Sequence, residues 1–185
     1  MRHRIFIAIN LPEDIKQNLK GYQMKWLELP CRWTKKENLH ITLAFLGYLG
    51  EEELLEILKI TKEVASRHEP FSVNLNKILY GPPKRPPRMI WVEGEKSDEL
   101  GKLQKDLESA LKGLSLELES EKGRSYIPHL TLGRLKQWEF KAIEPEERPE
   151  VNEDVSLIFE VNSIEIMESQ LKRGGAEYSV LESIP

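Results

Sequence analysis

The same order of sequence landmarks occurs twice in this chain, and this repeat constrains the fold more than any other feature. His40-Ile41-Thr42-Leu43 returns as His129-Leu130-Thr131-Leu132, 89 positions later, and Phe71–Asn74 has a counterpart in Phe159–Asn162, 88 positions later. Landmarks that recur in one order at a nearly constant offset indicate an internal duplication. We therefore predict one domain, residues 1–185, with two pseudo-symmetric lobes whose repeats run roughly from 1 to 80 and from 88 to 170.

Each repeat begins with a predicted strand that is followed by a predicted helix. In the first repeat, Arg4–Ile9 is rich in β-branched and aromatic residues, and Pro12 opens a helix. In the second repeat, Arg88–Val92 is the strand and Ser97 caps the helix. Apolar residues at helical spacing mark the inner faces of the two helices: Ile15, Leu19, Tyr22 and Trp26, then Leu100, Leu103, Leu107, Ala110 and Leu111.

The remaining segments predict an α+β fold with mostly antiparallel sheets backed by helices around a central cleft. Residues 51–68 have the spacing of a helix, with Leu54, Leu55, Leu58 and Val64 facing inward. The Pro-Pro pairs of residues 81–87 exclude a sheet there and predict a loop that joins the lobes. Further along, the pattern predicts a polar connection with a short helix at 141–154, strands within 155–167 and an edge strand at 177–181.

Each His-x-Thr motif places two polar side chains on one face of a strand. Residues i and i+2 of a strand point to the same side, so His40 lies beside Thr42 and His129 beside Thr131. If a pseudo-twofold axis brings the pairs together, one imidazole can take a proton from a nucleophile while the other gives a proton to the leaving oxygen. The threonine hydroxyls can hold charge on a phosphate. We therefore predict a phosphodiesterase with catalytic His40 and His129 and phosphate-binding Thr42 and Thr131, without a metal or cofactor.

A packed, hydrogen-bonded histidine is the commoner explanation of a single His-x-Thr motif. Two copies at matching places favour function, because a duplication explains shared core residues but not a titratable group on both inner faces. A zinc site is a poor alternative, since the two histidines have no evident third ligand. His3 and His68 have no counterpart in the repeat, and we predict structural roles for both.

Charge and cysteine content narrow the possible functions further. The net charge is −4, so an RNA substrate requires a local basic patch instead of bulk attraction. The single cysteine, Cys31, allows no internal disulfide and suits a reducing, cytoplasmic setting; we predict that it packs and is not a nucleophile.

We see no signal peptide and no run of about 18 apolar residues for a membrane span. We also expect a monomer, and the excess of Glu and Lys is typical of proteins from hot environments.

The segments around both motifs share a wider pattern. They are Arg4–Pro12, Arg32-Trp33, Asn38–Gly47, Pro128–Arg134, Glu168–Leu171 and Gly175–Tyr178. Together with the two motifs, these segments resemble the 2H phosphoesterase superfamily and, within it, the RNA 2′,3′-cyclic phosphodiesterases, also called 2′-5′ RNA ligases. The resemblance covers nearly the whole chain.

This resemblance implies a bilobal α+β fold and hydrolysis of a terminal 2′,3′-cyclic phosphate of RNA, tRNA-derived ends included, to a 2′-phosphate. It also implies a weak, reversible ability to join RNA ends through a 2′-5′ bond. His40, Thr42, His129 and Thr131 fall on the catalytic positions of the family, and Arg134 falls on the arginine that follows the second motif.

Neighbours of the motifs are further candidates for substrate contacts. Arg134 is five positions past His129, so in a regular strand it points away, and it reaches the phosphate only if the strand bends or ends. Tyr126 either stacks on a base or simply packs. The basic candidates for RNA contacts are Lys35, Lys36, Lys122 and Arg124 beside the motifs, and Lys84, Arg85 and Arg88 in the Pro-rich loop.

Two other functions remain open from the sequence. The same site can act on a different cyclic or 2′-5′-linked nucleotide, because the discriminating contacts lie in loops. Alternatively, the chain is an RNA- or nucleotide-binding module without turnover, although both motifs are intact. The residues themselves do not assign the acid and base roles of the two histidines.

Overall fold

The computed structural model describes residues 2–114 and 126–185, and it has the predicted α+β fold. The strands of these residues are β1 (His3–Asn10), β2 (Cys31–Trp33), β3 (His40–Leu49), β4 (Phe71–Gly81), β5 (Met89–Gly94), β6 (His129–Leu135), β7 (Asn152–Val161), β8 (Ile164–Lys172) and β9 (Gly175–Ile184). Their α-helices are α1 (Glu13–Gln23), α2 (Glu51–Ala65), α3 (Asp98–Leu111) and α4 (Gln137–Lys141). Short 3₁₀ helices lie at Met24–Trp26, Lys36–Asn38 and Pro145–Glu147.

The strands form two antiparallel sheets, and each sheet contains strands from both halves of the chain. The four-stranded sheet has the order β3-β1-β8-β9, and the five-stranded sheet has the order β2-β6-β5-β4-β7. Strand β4 from the first half thus lies beside β5, and β8 from the second half lies beside β1. This reciprocal exchange means that the sheets do not follow the sequence order of the repeats.

The alternation of side chains along β1 separates the core from a second, outward surface. Ile5, Ile7 and Ile9 are fully buried in a core that also receives residues from both sheets and from α1, α2 and α3. Burying an aliphatic side chain of this size contributes about 1.5–3 kcal/mol. Phe6 and Ala8 point to the opposite face, where they pack with Met167 and Tyr178.

The inner face of α3 is the one that the sequence predicts, whereas one residue of α2 is placed differently. The Ser97 hydroxyl accepts a hydrogen bond from the Leu100 amide at 3.2 Å and caps α3. In α2 the prediction that Leu55 faces inward is wrong, since its side chain is 67% exposed. The buried stripe of α2 contains Ile57, and Leu55 lies about 200° around the helix from it at the usual turn of 3.6 residues.

The Pro-rich segment is a loop, as predicted, but its role differs. It connects β4 with β5, which are neighbours in one sheet, so the expectation that it joins two lobes is wrong. The reason is that β4 has crossed into the sheet of the second half. The predicted edge strand at 177–181 is confirmed as part of the longer β9, at the edge of its sheet. Within the described residues, none of the helices is both long and apolar enough to span a membrane.

Candidate active site

His40 is the first residue of β3, and two hydrogen bonds fix its ring. Its Nδ1 is 2.7 Å from the carbonyl oxygen of Asn38, and its Nε2 is 3.0 Å from the hydroxyl oxygen of Thr42. A carbonyl oxygen only accepts, so Nδ1 carries the hydrogen in this arrangement. In the neutral ring, Nε2 is then the basic nitrogen and accepts from the Thr42 hydroxyl. The predicted pairing of these two side chains on one face is therefore present in the structure.

His129 occupies the same place at the start of β6 and is oriented in the same way. Its Nδ1 lies 3.1 Å from the carbonyl oxygen of Ile127, again two residues earlier in the chain. Both imidazoles therefore use Nδ1 for a backbone contact and leave Nε2 as the nitrogen for chemistry. The two motifs therefore hold their imidazoles through the same kind of backbone contact.

Aromatic side chains surround the His40 ring. The ring centroids of Phe6 and Tyr178 are 4.9 and 5.2 Å from its own. Burial lowers the pKa of His40 below its ordinary value, and the positive charge of Lys16 lowers it further, while the hydrogen bond to Asn38 opposes the shift. His40 is thus held in its neutral form more strongly than a histidine in water.

His129 has a different neighbour, the indole of Trp91 on the adjacent strand β5. The two rings are stacked, with centroids 4.2 Å apart and planes 24° from parallel. Gly81 makes this position of the indole possible, because a Cβ atom there would lie 2.5 Å from two of the indole carbons. The indole therefore covers one face of the His129 ring.

A β-bulge follows each motif, and it brings a third residue onto the face of the motif. Between β1 and β3, the partners pass from Thr42 to Ala44 and skip Leu43; between β5 and β6, they pass from Thr131 to Gly133 and skip Leu132. An extra residue in one strand resets the alternation of side chains. Phe45 and Arg134, which are also 89 positions apart, therefore share the faces of the two motifs.

Contacts agree with this placement of Arg134. Its Nη1 lies 3.5 Å from the sulfur of Met89, and the hydroxyl of Thr131 lies 3.7 Å from the same sulfur. Arg134 also pairs across strands with Arg32 of β2, so two like charges lie opposite each other. Arg134 is five positions past His129, and the bulge explains why both side chains nevertheless lie on one face. The sequence pattern does not reveal this bulge.

The two motifs lie next to each other, and Tyr126 links them. Strands β3 and β6 are in contact, although they belong to different sheets. The hydroxyl of Tyr126, three residues before His129, donates a 2.6 Å hydrogen bond to the backbone carbonyl of Thr42. Burial raises the pKa of Tyr126, so it remains a donor. Because its ring also packs against the core, the structure favours packing over base stacking for Tyr126.

The predicted basic contacts are placed unequally. Lys36 forms an ion pair with Glu13, whereas Lys35 is exposed. Lys122 and Arg124 lie outside the described residues. Around the loop where β4 ends and β5 begins, and on the nearby strands β2 and β6, five basic side chains are exposed and make no ion pair with any carboxylate of residues 2–114 and 126–185: Arg32, Lys84, Arg85, Arg88 and Arg134.

Sequence reasoning did not identify several residues that support the site. The sequence predicts that Trp91 is in a strand, but its contact with His129 depends on strand register, which no local pattern specifies. Gln23 is another, since its buried side-chain amide donates to the carbonyl of Leu132 at 3.1 Å and supports the bulge. Phe6 and Tyr178 come from β1 and β9 and meet at His40 only through the exchange of strands.

The other candidate groups are not part of either motif. Burial raises the pKa of the Cys31 thiol to about 12, in keeping with a packing role. His3 pairs with Glu168 and His68 with Asp106, as structural residues do. In the part of the chain that the structure describes, no three His, Cys, Asp or Glu side chains come together as metal ligands would.

Known proteins resemble this chain over its full length. The model of the family described as LigT like Phosphoesterase matches it twice, at residues 9–91 and 92–178. A relative from Methanocaldococcus jannaschii, named RNA 2′,3′-cyclic phosphodiesterase, is 33% identical over 180 residues, which are 97% of this chain and 98% of the relative. A relative of the same name from Methanothermobacter thermautotrophicus is 29% identical over 177 residues, which are 94% of this chain and 90% of the relative.

Solved structures share the fold. The crystal structure of TT0787 from Thermus thermophilus has a TM-score of 0.83 and 28% identity, and the match covers 98% of this chain and 96% of that chain. E. coli LigT complexed with 3′-AMP has a TM-score of 0.77 over 100% of this chain and 99% of that chain; at 23% identity, this likeness concerns the fold.

Proposed function

Because the chain belongs to the LigT-like family of 2H phosphoesterases, we propose that it hydrolyses the 2′,3′-cyclic phosphate at an RNA end and leaves a 2′-phosphate. The relatives named RNA 2′,3′-cyclic phosphodiesterase match nearly the whole chain and support this substrate. The observation that carries the proposal is the matched pair of histidines, each fixed through Nδ1 at the start of its strand, with the two motifs joined by the hydrogen bond from Tyr126 to Thr42.

The environments of the two histidines support different roles in the reaction. His40, whose pKa burial lowers, is the general base: once the Thr42 hydroxyl turns from His40 to the phosphate, Nε2 takes a proton from water as the water oxygen attacks phosphorus. His129, stacked on Trp91, is the general acid and gives a proton to the 3′ oxygen as the P–O3′ bond breaks. The phosphate stays on the 2′ oxygen. Each proton transfer contributes roughly 10²–10⁴-fold to the rate.

Thr42, Thr131 and Arg134 lie on the faces of the two motifs and hold the phosphate. Hydroxyl and guanidinium donors stabilise the negative charge that gathers on the non-bridging oxygens in the transition state. The Met89 contacts of Thr131 and Arg134 place these two donors on one face. Tyr126 has a positioning role, since its bond to the Thr42 backbone sets the spacing between the motifs.

The exposed arginines and lysine around the β4–β5 loop provide the local basic patch that an RNA substrate requires. The chain has a net charge of −4, so this cluster, and not the whole surface, attracts the phosphates. The cluster includes Arg134 itself, so the RNA backbone approaches the site from the five-stranded sheet. Lys35 remains a candidate contact on the other side.

The same arrangement supports the joining of RNA ends at low efficiency. When a 5′-hydroxyl replaces water as the nucleophile, its oxygen attacks phosphorus, the P–O3′ bond breaks and a 2′-5′ bond forms. Cleavage of that bond runs the same steps backward, with the acid and base roles of the two histidines exchanged, as microscopic reversibility demands.

A short RNA with a 2′,3′-cyclic phosphate, incubated with excess EDTA, tests the proposal. We expect a 2′-phosphate product, and we expect His40→Ala and His129→Ala each to lower kcat/KM by at least about 10²-fold. His68→Ala is the matched control, because His68 contacts Asp106 away from the motifs. Adding an RNA with a 5′-hydroxyl to the same assay reports joining.

Other outcomes would redirect the assignment. Near-normal turnover in either site variant would exclude the two-histidine mechanism. Tight binding of the RNA without turnover between about pH 5 and 8 would favour a binding module. Turnover of 2′-5′-linked nucleotides in preference to the cyclic end would favour a different substrate for the same site.

A further inference from the structure

Thr34 is the residue that follows strand β2, and both its backbone and its side chain bond to the bulge of the second motif. Its amide donates to the carbonyl oxygen of Leu132 at 3.0 Å, and its hydroxyl donates to the carbonyl oxygen of Thr131 at 2.8 Å. A bulge disturbs the ladder of backbone hydrogen bonds, so the carbonyl groups beside it need other donors. One residue from the first half of the chain therefore supplies donors to two successive carbonyls of the second motif.

The first motif has a matching contact in which the two halves of the chain are exchanged. Thr34 precedes the first motif and donates to the carbonyl of Thr131 in the second motif. Tyr126 precedes the second motif and donates a 2.6 Å bond to the carbonyl of Thr42 in the first motif. Both acceptors are motif threonines, and each is the residue just before the one that its bulge skips. Each motif is therefore held by a hydroxyl from the segment that leads into the other motif.

The position of Thr34 is itself fixed by helix α1. The side-chain amide of Gln23 donates to the carbonyl of Thr34 at 2.8 Å and to that of Leu132 at 3.1 Å. Gln23 is only 8% exposed, so these bonds are shielded from competition by water. The β-branched side chain of Thr34 has few χ1 rotamers, so its hydroxyl is held towards Thr131. The bond from Thr34 thus belongs to an ordered network that joins α1, β2 and β6.

Given the proposed function, we infer that Thr34 is a positioning residue for the second motif and that it acts together with Tyr126. The backbone at Thr131 carries the phosphate-binding hydroxyl and, two residues earlier, the ring of His129. The two hydroxyl bonds, one in each direction, together fix the spacing between the motifs. Catalysis is sensitive to this spacing, since misplacement of catalytic groups by about 1 Å costs up to about 10²-fold in rate.

Substitution of Thr34 by valine tests this role. Thr34→Val removes the hydroxyl and keeps the β-branched shape, and the backbone bond to Leu132 remains. With a short RNA that ends in a 2′,3′-cyclic phosphate, we expect kcat to fall by roughly 10- to 100-fold with little change in KM. Thr34→Ser retains a hydroxyl at this position and should recover most of the lost kcat.

Thr61→Val is the matched control, because it deletes the same group from a similar bond elsewhere in the fold. The hydroxyl of the fully buried Thr61 donates to the carbonyl of Ile57 at 2.7 Å within α2. Thermal melting measures the stability of each variant, and activity is then assayed at temperatures where all of them are folded. Under these conditions Thr61→Val should keep the kcat of the unaltered protein.

The double variant Thr34→Val/Tyr126→Phe tests whether the two bonds act together. If both bonds are needed to fix one spacing, the loss of either already releases it. The double variant should then lose less kcat than the product of the two single losses. Losses that multiply would show two independent effects and overturn the joint action.

The remaining outcomes separate this inference from the proposed function. Normal kcat in Thr34→Val, an equal fall in Thr61→Val, or no recovery in Thr34→Ser would overturn the positioning role of Thr34 while the enzyme activity stands. If the unaltered protein does not turn over the RNA, the proposed function fails first, and this inference fails with it.

Discussion

The hydrogen bond from Tyr126 to Thr42 leads to the sharpest prediction about how the site is held together. Tyr126→Phe removes one oxygen and changes nothing else in shape. The bond it deletes is 2.6 Å long and connects the segment before β6 to β3. Loss of a neutral hydrogen bond costs about 0.5–1.5 kcal/mol, and an acceptor left buried without a partner raises the cost to about 1–3 kcal/mol.

Tyr80 provides a control with the same chemistry elsewhere in the fold. Its hydroxyl also donates to a backbone carbonyl, that of Pro149, at 2.6 Å, and its ring lies against Phe140. Tyr80→Phe should therefore lower the free energy of unfolding by a similar amount. For a chain of this length, each kcal/mol corresponds to a fall in Tm of roughly 2–4 °C. Urea denaturation and thermal melting of both variants measure these costs.

Activity should separate the two variants. In Tyr126→Phe the motifs lose a fixed spacing, and misplacement of catalytic groups by about 1 Å costs up to about 10²-fold, so we expect kcat to fall by roughly 10- to 100-fold with little change in KM. Tyr80→Phe should keep its activity at temperatures where it is folded. Equal activity in the two variants, at comparable losses of stability, would refute the positioning role of Tyr126.

Two further predictions concern the surroundings of the two histidines. The lowered pKa of His40 places the acidic limb of the kcat/KM profile below pH 6.5, because a base with a lowered pKa stays unprotonated to lower pH. Lys16→Met should move this limb to higher pH, because it removes a positive charge that lowers the pKa of His40. An acidic limb at or above pH 6.5 in the unaltered enzyme contradicts the assignment of His40 as base. Gly81→Ala should displace Trp91 from His129, with a loss of kcat and an overpacking cost of about 1–3 kcal/mol measured by urea denaturation. The control Gly101→Ala, which meets nothing within 4 Å in α3, should be neutral or slightly stabilising, and unchanged kcat in Gly81→Ala would show that the stack is dispensable.

Local patterns in the sequence were sufficient for most of the secondary structure and for the faces of the motifs. Ser97 and the leucines of α3 follow helical rules within one turn or two, and the pairing of His40 with Thr42 needs only the period of a strand. These features depend on residues that are close together in sequence, so a single sequence is sufficient to predict them.

The remaining features depend on which strands pair and in what register. At Leu43 and Leu132, one strand has an extra residue relative to its partner strand. These bulges determine the face of the sheet on which Phe45 and Arg134 lie. The location of β4 beside β5 likewise depends on tertiary packing, because the composition of an apolar strand is compatible with either sheet. For the same reason, the periodicity of the sequence does not predict which aromatic residues contact His40.

The exchange of strands between the two halves also determines when the enzyme is complete during its synthesis. Ile5 of β1 pairs with Glu168 of β8, so β1 leaves the ribosome long before the strand with which it pairs. At about 5–20 residues per second, that interval is roughly 10–30 s, during which β1 has an unpaired edge. Tyr178 reaches His40 later still. A nascent chain therefore carries its first histidine motif in an unfinished sheet, and the site is assembled only after β8 and β9 have been synthesised.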